Sequence, residues 1–212
     1  MNKVALIAIY GSPRENGNSD MLLNEFLKGA EASSHAPHTV ERIFARKFNI
    51  TACRGCHACG VTGTCIVSDD MAGLYKKLEQ ADCMVVSSPI FFYGVPSQLK
   101  AIIDRTQAFW AGKYRVENPD PSTGRVPRGC PAGAPRVPRD IGGQQRTGIF
   151  LAVCASKGQK VFDGAKLTIR YFFDACGFEY KHELFVRGVE LKGDILSRTD
   201  DMRVAYELGK NL

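Results

Sequence analysis

"KVALIAIYGSPRENGNSD", residues 3–20, joins a short apolar run to a loop of small and polar residues. The apolar part, residues 3–10, does not alternate with polar residues and is typical of a strand buried on both faces of a parallel sheet. The loop leads into residues 19–32, where apolar residues recur at helical spacing and Asn18 or Ser19 is the predicted N-cap. A buried strand, a loop and a helix in this order predict an alternating α/β fold.

The rest of the chain repeats this alternation. It predicts strands over 38–45, 82–90, 146–156 and 178–188, and helices over 68–81, 94–110, 164–176 and from about 198 onward. Right-handed crossovers then favour a doubly wound, flavodoxin-like parallel sheet of five strands in the order 2-1-3-4-5, with helices on both faces. Ligands of such sheets bind beyond the carboxyl ends of the strands, at the switch point between strands 1 and 3. The loops after residues 10, 88 and 154 are therefore expected to form one site.

Length and composition indicate a single domain over residues 1–212, with 44% hydrophobic and 24% charged residues, as in ordinary globular proteins. No apolar run approaches the ~20 residues that span a bilayer. The apolar start turns directly into a polar loop without a cleavage site, so we expect a cytoplasmic protein with no membrane partner. Cytoplasmic reductants keep thiols reduced, which makes clustered cysteines candidates for metal binding or redox chemistry rather than for disulfides.

A net charge of +6 and a pI near 8.9 are compatible with a nucleic acid, an anionic cofactor or an acidic electron-transfer partner. Nucleic acid is disfavoured, because the chain shows neither a helix-turn-helix pattern nor a run of basic residues. The segment 111–146 holds six of the ten prolines and seven Lys or Arg residues against three acidic ones. It therefore predicts a long excursion and not an element of the core.

The loop "GSPRENGNSD" (11–20) has the residue types of a phosphate site. Backbone N–H groups at a helix start attract an anion, and side-chain donors and a guanidinium add to them. The candidate residues are Ser12, Pro13, Arg14, Asn18 and Ser19. The loop lacks the Lys-Ser/Thr ending of a P-loop and the three-glycine spacing of a dinucleotide fingerprint, which favours a single phosphate, as in FMN. The alternative is an ordinary loop that caps a helix. The position of residues 11–20 directly after the first strand favours a phosphate site over this alternative.

Three aromatic residues follow the third predicted strand in "SSPIFFYGVPSQLKAIIDR" (87–105). A flavin ring needs flat apolar neighbours and a few backbone donors. The residues that could supply them are Pro89, Ile90, Phe91, Phe92, Tyr93 and Gly94. Core aromatics at the end of a buried strand are the alternative. The turn follows the phosphate loop in the order of a mononucleotide-binding fold, which favours the flavin.

This turn and the helix after it resemble the NADPH-dependent FMN reductase branch of the flavodoxin superfamily. In that family a Ser-Pro-Ile-Tyr-like turn, a glycine and a helix containing Leu-Lys-x-x-Ile-Asp-Arg wrap the isoalloxazine ring of FMN. The chain has Pro89–Gly94 followed by Leu99–Arg105, with Phe91 where tyrosine is common. The loop after the fourth strand is expected to close over the other side of the ring, where Ser156 and Gly158 could offer backbone contacts.

Four of the eight cysteines crowd into "CRGCHACGVTGTC" (53–65) with the spacing C-x2-C-x2-C-x5-C. The candidate ligands are Cys53, Cys56, Cys59 and Cys65, and three thiolates so close together with a fourth nearby suit a four-iron cluster. Zinc usually takes two well-separated C-x2-C pairs, although combinations of cysteine with His57 could hold it. A redox C-x-x-C pair would need only two cysteines.

The combination of this motif with the flavin loops is similar to the iron–sulfur flavoproteins, which carry a compact four-cysteine motif between strand 2 and helix 2 of the FMN fold. The resemblance covers roughly 1–110 and, more loosely, 146–186; it does not cover 111–146. It implies a flavin-dependent oxidoreductase with FMN and a 4Fe-4S cluster, and a homodimer or homotetramer. Electrons would pass between a ferredoxin-like donor and a small oxidant or quinone, with no side chain as an acid–base catalyst.

Two other interpretations stay open. One is an NADPH-dependent FMN or quinone reductase whose cysteines are structural, with NADPH as the donor. The other is a non-catalytic flavin sensor or nucleic-acid binder that uses the basic excursion. We interpret the excursion itself as a subunit-contact arm or a flavin lid.

Overall fold

A computed structural model describes residues 5–33, 39–117 and 145–212, with side chains for all of these except 114–117. The strands described are β1 (Ala5–Tyr10), β2 (Thr39–Phe44), β3 (Cys83–Pro89), β4 (Thr147–Cys154) and β5 (Glu179–Arg187). The helices described are α1 (Asn18–Glu31), α2 (Ala58–Thr62), α3 (Met71–Gln80), α4 (Ser97–Arg105), α5 (Gln107–Glu117), α6 (Asp163–Ala175) and α7 (Thr199–Lys210). Short 3-10 turns occupy Ala45–Lys47 and Asp194–Ser197.

The five strands form one parallel sheet in the order β2-β1-β3-β4-β5. This confirms the predicted flavodoxin-like fold and its strand order. The central strands β1, β3 and β4 are buried almost throughout, whereas the edge strands β2 and β5 expose much of their length. One face of the sheet packs against α1 and α7, and the other against α3, α4, α5 and α6. The continuous apolar runs of the sequence are thus the strands that helices cover on both faces.

The helices α1 and α7 cross with their backbones in contact at two glycines. A Cβ atom on Gly29 would lie 1.9 Å from the carbonyl oxygen of Tyr206, and a Cβ atom on Gly209 would lie 1.9 Å from that of Phe26. Real Cβ atoms do not approach other atoms so closely, so any side chain at either position forces the two helices apart. The crossing fixes α1, whose first residues belong to the loop predicted to bind phosphate.

Arg146 is a buried cation directly before β4. Its guanidinium donates from Nε to the carbonyl of Ala81 at 2.7 Å, from Nη1 to that of Cys176 at 2.6 Å, and from Nη2 to that of Leu78. These carbonyls lie at the C-terminal ends of α3 and α6, where helix dipoles favour a positive charge. The guanidinium also stacks 3.7 Å above the ring of Phe178. Burial lowers the pKa of Arg146 to about 10.

The structure divides the helix predicted over 94–110. The chain turns at Thr106, whose hydroxyl donates to the carbonyl of Ile103 at 2.6 Å, and α4 ends there before α5 begins. Because α5 continues to Glu117, the first residues of the segment 111–146 are helical, and 118–144 lie outside the described residues. None of the helices in the described part of the chain has the length and apolar character to cross a membrane.

Candidate functional site

The loops after β1, β3 and β4 begin side by side at the carboxyl edge of the sheet. The N–H of Gly11 donates to the carbonyl of Ser87 at 2.7 Å, and the hydroxyl of Ser87 donates to the carbonyl of Ser19 at 2.8 Å. The N–H of Ile90 reaches the carbonyl of Val153 at 3.0 Å. Hydrogen bonds therefore hold the first loop to the end of β3, and the start of the second loop to the end of β4.

The N-terminus of α1 leaves donors open in the first loop. Gly17 precedes the helix and has no side chain to cap it. The Ser12 hydroxyl accepts the N–H of Arg14 at 3.0 Å, which folds the loop on itself. Ser19 is buried, and its hydroxyl has no hydrogen-bond partner among the described residues. A buried hydroxyl without a partner is costly, so this end of α1 is suited to a ligand that accepts hydrogen bonds.

The side chain of Asn18 holds another loop. Its Nδ2 donates to the carbonyl of Leu191 at 2.8 Å, and its Oδ1 accepts the N–H groups of Gly193 at 2.9 Å and Ile195 at 3.3 Å. A guanidinium N–H of Arg14 also reaches the carbonyl of Glu190, at 3.4 Å. The loop after β5 is thereby fixed beside the first loop, an arrangement that the sequence does not indicate.

The aromatic turn after β3 has an unusual backbone. Phe91 and Gly94 exchange two N–H···O hydrogen bonds of 2.9 Å, and the residues between them have positive φ angles, 49° at Phe92 and 63° at Tyr93. Hairpin turns of this kind normally use Asn and Gly, and a non-glycine residue in such a conformation costs about 1–3 kcal/mol. Phe92 is completely exposed, and Tyr93 is 57% exposed. Strained backbone that presents aromatic faces to solvent indicates a binding surface.

The loop after β4 is closed by its own hydrogen bonds. Ser156 accepts the N–H of Gly158 on its hydroxyl at 3.1 Å, and the thiol of Cys154 donates to the carbonyl of Ser156 at 3.1 Å. Arg187 of β5 donates to the carbonyls of Gly158 at 3.1 Å and Gln159 at 2.9 Å. Ser156 and Gly158 are both exposed, but the N–H and carbonyl of Gly158 and the carbonyl of Ser156 already take part in these hydrogen bonds.

The four clustered cysteines line one cavity of about 320 Å³ between the cysteine loop and α5. Burial raises the pKa of the Cys59 thiol, and negative charge on Cys65, Cys53 and Cys56 raises it further. Within residues 5–33, 39–117 and 145–212, no three His, Cys, Asp or Glu side chains converge on a position for a single ion. All four cysteines therefore border the same space.

Arg105, at the end of α4, holds both ends of the cysteine loop. Its Nη1 donates to the carbonyl of Thr51 at 2.8 Å, and its Nη2 to that of Val67 at 3.2 Å. The same guanidinium binds both carboxylate oxygens of Asp69, at 2.6 and 3.1 Å. Burial alone would raise the pKa of Asp69, but hydrogen bonds from Arg105 and from backbone N–H groups hold it below its usual value.

The family model for NADPH-dependent FMN reductases matches residues 4–118, which is more than half of the chain and includes the first loop, the cysteine loop and the aromatic turn. The chain belongs to this family. This membership confirms the family resemblance that the aromatic turn and the helix after it indicate.

Several curated relatives of this chain are named iron-sulfur flavoprotein. One from Archaeoglobus fulgidus is 35% identical over 99 residues, which cover 47% of this chain and 44% of the relative. One from Methanocaldococcus jannaschii is 34% identical over 113 residues, which cover 53% of this chain and 56% of the relative. The chain thus aligns with about half the length of these relatives.

The solved structure of an NAD(P)H:quinone oxidoreductase from Methanothermobacter marburgensis superposes on this chain with a TM-score of 0.65. The alignment covers 99% of each chain. Its sequence identity is 14%, so the likeness concerns the fold alone. It agrees with the strand order and the helices on both faces of the sheet.

Arg46 and Asp20 lie beside the first loop, and the sequence does not single them out. Arg46 lies in the 3-10 turn after β2, where its Nη1 is 3.0 Å from Oδ2 of Asp20 and donates to the carbonyl of Ser12 at 3.2 Å. Their side chains are 11% and 4% exposed. Burial raises the pKa of Asp20, and Arg46 opposes this. Oδ1 of Asp20 and Nε of Arg46 have no hydrogen-bond partner in the described part of the chain, so Arg46 offers a further buried donor near the first loop.

Acid is expected to loosen the cysteine loop through Asp69. Its folded-state pKa is lowered, so its contribution to stability is present above the unfolded value of about 3.9 and is lost as the pH falls through the folded value. Thermal unfolding measured from pH 7 to pH 3 tests this. Asp69→Asn should lower the stability at pH 7 and weaken the pH dependence below pH 4. A variant with unchanged acid sensitivity would contradict the assignment.

Proposed function

We propose that the chain is an FMN-dependent oxidoreductase that holds a 4Fe-4S cluster in the cysteine loop. It would pass electrons between a ferredoxin-like donor and a small oxidant or quinone through FMN. The observation that carries this proposal is that all four spaced cysteines line one cavity, in a chain of the FMN reductase family. We further propose a homodimer or homotetramer in the cytoplasm.

The first loop fits the phosphate of FMN. Two buried donors without partners, the Ser19 hydroxyl and Nε of Arg46, occur in and beside this loop, and the N-terminus of α1 adds backbone N–H groups. The residues that would hold the phosphate are Ser12, Pro13, Arg14, Asn18 through its backbone, Ser19 and Arg46. Bound FMN would supply the exchange of one or two electrons.

The aromatic turn fits the ring of the flavin. Phe91, Phe92 and Tyr93 expose flat apolar faces next to the edge of the sheet, where mononucleotides bind in such folds. The residues that would contact the ring are Pro89, Ile90, Phe91, Phe92, Tyr93, Gly94, Ser156 and Gly158. The loop after β4 would exclude water from the second face of the ring.

The cysteine loop fits a cluster better than a zinc ion. Structural zinc requires four donors that converge tetrahedrally on one atom. In a 4Fe-4S cluster each thiolate binds a different iron, so the thiolates stand around a volume. Cys53, Cys56 and Cys59 lie within seven residues, which is too close for two separated zinc pairs, and all four cysteines line one cavity, which supports the cluster.

Anaerobic purification followed by iron, sulfide and flavin analysis tests the proposal. We expect about four irons per chain, one FMN, and a broad iron–sulfur absorbance next to the flavin bands. Flavin without iron, after anaerobic reconstitution with iron and sulfide, would refute the cluster.

Replacing Cys59 with serine is expected to abolish the iron content and leave the flavin content unchanged, because the phosphate and ring contacts come from other loops. Cys83→Ala is the matched control, since Cys83 lies buried in β3 and its pKa is raised to about 12 by burial. Iron and FMN per chain are the measurements. Loss of iron in both variants, or in neither, would contradict the assignment of Cys59 as a ligand.

Ser19→Ala and Arg46→Met are each expected to weaken FMN binding by about tenfold or more, since a hydrogen bond to a charged group contributes about 1.5–3 kcal/mol. Fluorescence quenching of FMN on titration with the flavin-free protein measures the affinity. Ser68→Ala and Arg170→Met, at exposed positions, are the matched controls. Equal affinity in Arg46→Met and Arg170→Met would remove Arg46 from the site.

A second candidate is an NADPH-dependent FMN or quinone reductase without a cluster. The family description favours it, because it names NADPH as the source of electrons. Anaerobic oxidation of NADPH with a quinone, in protein that contains flavin and no iron, would support this candidate. Reduction of the flavin by a ferredoxin-like donor and not by NADPH would support the first candidate, the cluster-containing oxidoreductase.

A further inference from the structure

Arg105 lies between the core and the cysteine loop, with its side chain 1% exposed. Thr51 precedes the first cysteine of the motif and Val67 follows the last one, and the guanidinium binds the carbonyls of both. One planar group thus sets the separation between the two ends of the loop. A lysine cannot reproduce this, because its single ammonium group lacks the fork of donors.

The same side chain faces the cysteines. Arg105 lines the cavity together with Cys53, Cys56, Cys59 and Cys65. Its Nε is buried and has no hydrogen-bond partner among the described residues, whereas its Nη atoms are occupied. A buried donor without a partner at a cavity wall indicates a ligand that accepts a hydrogen bond there.

The main chain of Arg105 is also fixed. The hydroxyl of Tyr75 donates to its carbonyl at 2.7 Å in a buried contact between α3 and the end of α4. Asp69, with a side chain 8% exposed, balances the guanidinium charge on the side of the loop. Arg105 and Asp69 therefore form a buried ion pair of fixed orientation beside the cavity.

We propose that Arg105 is a positioning residue of the four-cysteine site, which holds the loop closed and directs a positively charged donor at the group that the thiols bind. This rests on the proposed function for the identity of that group. Arg105 and Asp69 together set the charge beside the four-cysteine site. Since reduction adds negative charge to a cluster, a nearby cation favours the reduced form and a nearby anion disfavours it.

Two variants of opposite charge test the electrostatic part. Arg105→Met leaves Asp69 without its cation, and the midpoint potential of the reconstituted cluster should fall. Asp69→Asn leaves Arg105 without its anion, and the potential should rise. Loosening of the loop alone would move both potentials in the same direction. Potentials that shift in one direction, or not at all, would therefore overturn the electrostatic role.

Thiol alkylation of the metal-free protein tests the positioning part independently of iron. Iodoacetamide should modify Cys59 and Cys65 at least about tenfold faster in Arg105→Lys than in the wild type, because one ammonium cannot bind both ends of the loop and each lost hydrogen bond from a charged group costs about 1.5–3 kcal/mol. Lys100→Met, an exposed change on the same helix, is the control and should leave the rates unchanged. Circular dichroism confirms the fold of each variant. Equal rates in wild type and Arg105→Lys overturn the proposal, even where no iron is bound.

Discussion

Gly209→Ala is expected to destabilise the protein by about 3 kcal/mol or more, one of the largest effects of any single methyl group in this chain. The new Cβ would lie 1.9 Å from the carbonyl oxygen of Phe26, and backbone cannot move aside as a side chain can. The helix α7 would have to withdraw from α1, which exposes the apolar face that the two helices share. Chemical denaturation with urea, followed by circular dichroism, measures the free energy of unfolding.

Gly73→Ala is the matched control for this experiment. Gly73 lies inside α3, and a Cβ at that position meets no atom within 4 Å. The change should therefore stabilise the protein by about 0.5–1 kcal/mol through helix propensity alone. Equal effects at Gly73 and Gly209 would mean that the two helix backbones do not touch.

Arg146→Met is expected to destabilise the protein by about 3–5 kcal/mol. Methionine fills much of the same volume, but it leaves the buried carbonyls of Leu78, Ala81 and Cys176 without donors, and each unsatisfied group costs about 1–3 kcal/mol. Arg146→Lys should recover only part of the loss, because one ammonium cannot reach three carbonyls and does not stack on a ring.

Differential scanning calorimetry measures the loss at Arg146, with Arg170→Met on the exposed face of α6 as the control. The control should change stability by less than about 0.5 kcal/mol. A melting temperature that falls equally in both variants would contradict the role of Arg146 in joining the ends of α3 and α6.

Local patterns in the sequence predict the sheet, because strands alternate with helices along the chain and each crossover has a fixed hand. The strand order follows from these two facts, and the loops at the carboxyl edge follow from the order. The loop predicted to bind phosphate and the aromatic turn are contiguous stretches, so they are visible as motifs. The cysteine spacing is likewise local, and the structure brings all four thiols to one cavity.

Contacts between distant residues are the part that the sequence leaves open. Arg105 reaches Thr51 and Asp69 across 54 and 36 residues, and no periodicity connects them. The sequence places Arg105 in a flavin-associated helix motif, yet its side chain turns to the cysteine loop. The pairing of Arg46 with Asp20 cannot be predicted from the sequence for the same reason, because an arginine after a strand gives no indication of its partner.

Asparagine and glycine are the usual residues at the tip of a hairpin such as that of residues 91–94, because they adopt the left-handed backbone conformation at little energetic cost. The chain instead has Phe92 and Tyr93 there. The substitution that would make this corner easier to fold would also remove its two projecting rings. Consensus redesign for heat tolerance should therefore leave this tip untouched, since a gain in stability would remove the two rings that we propose to contact the flavin.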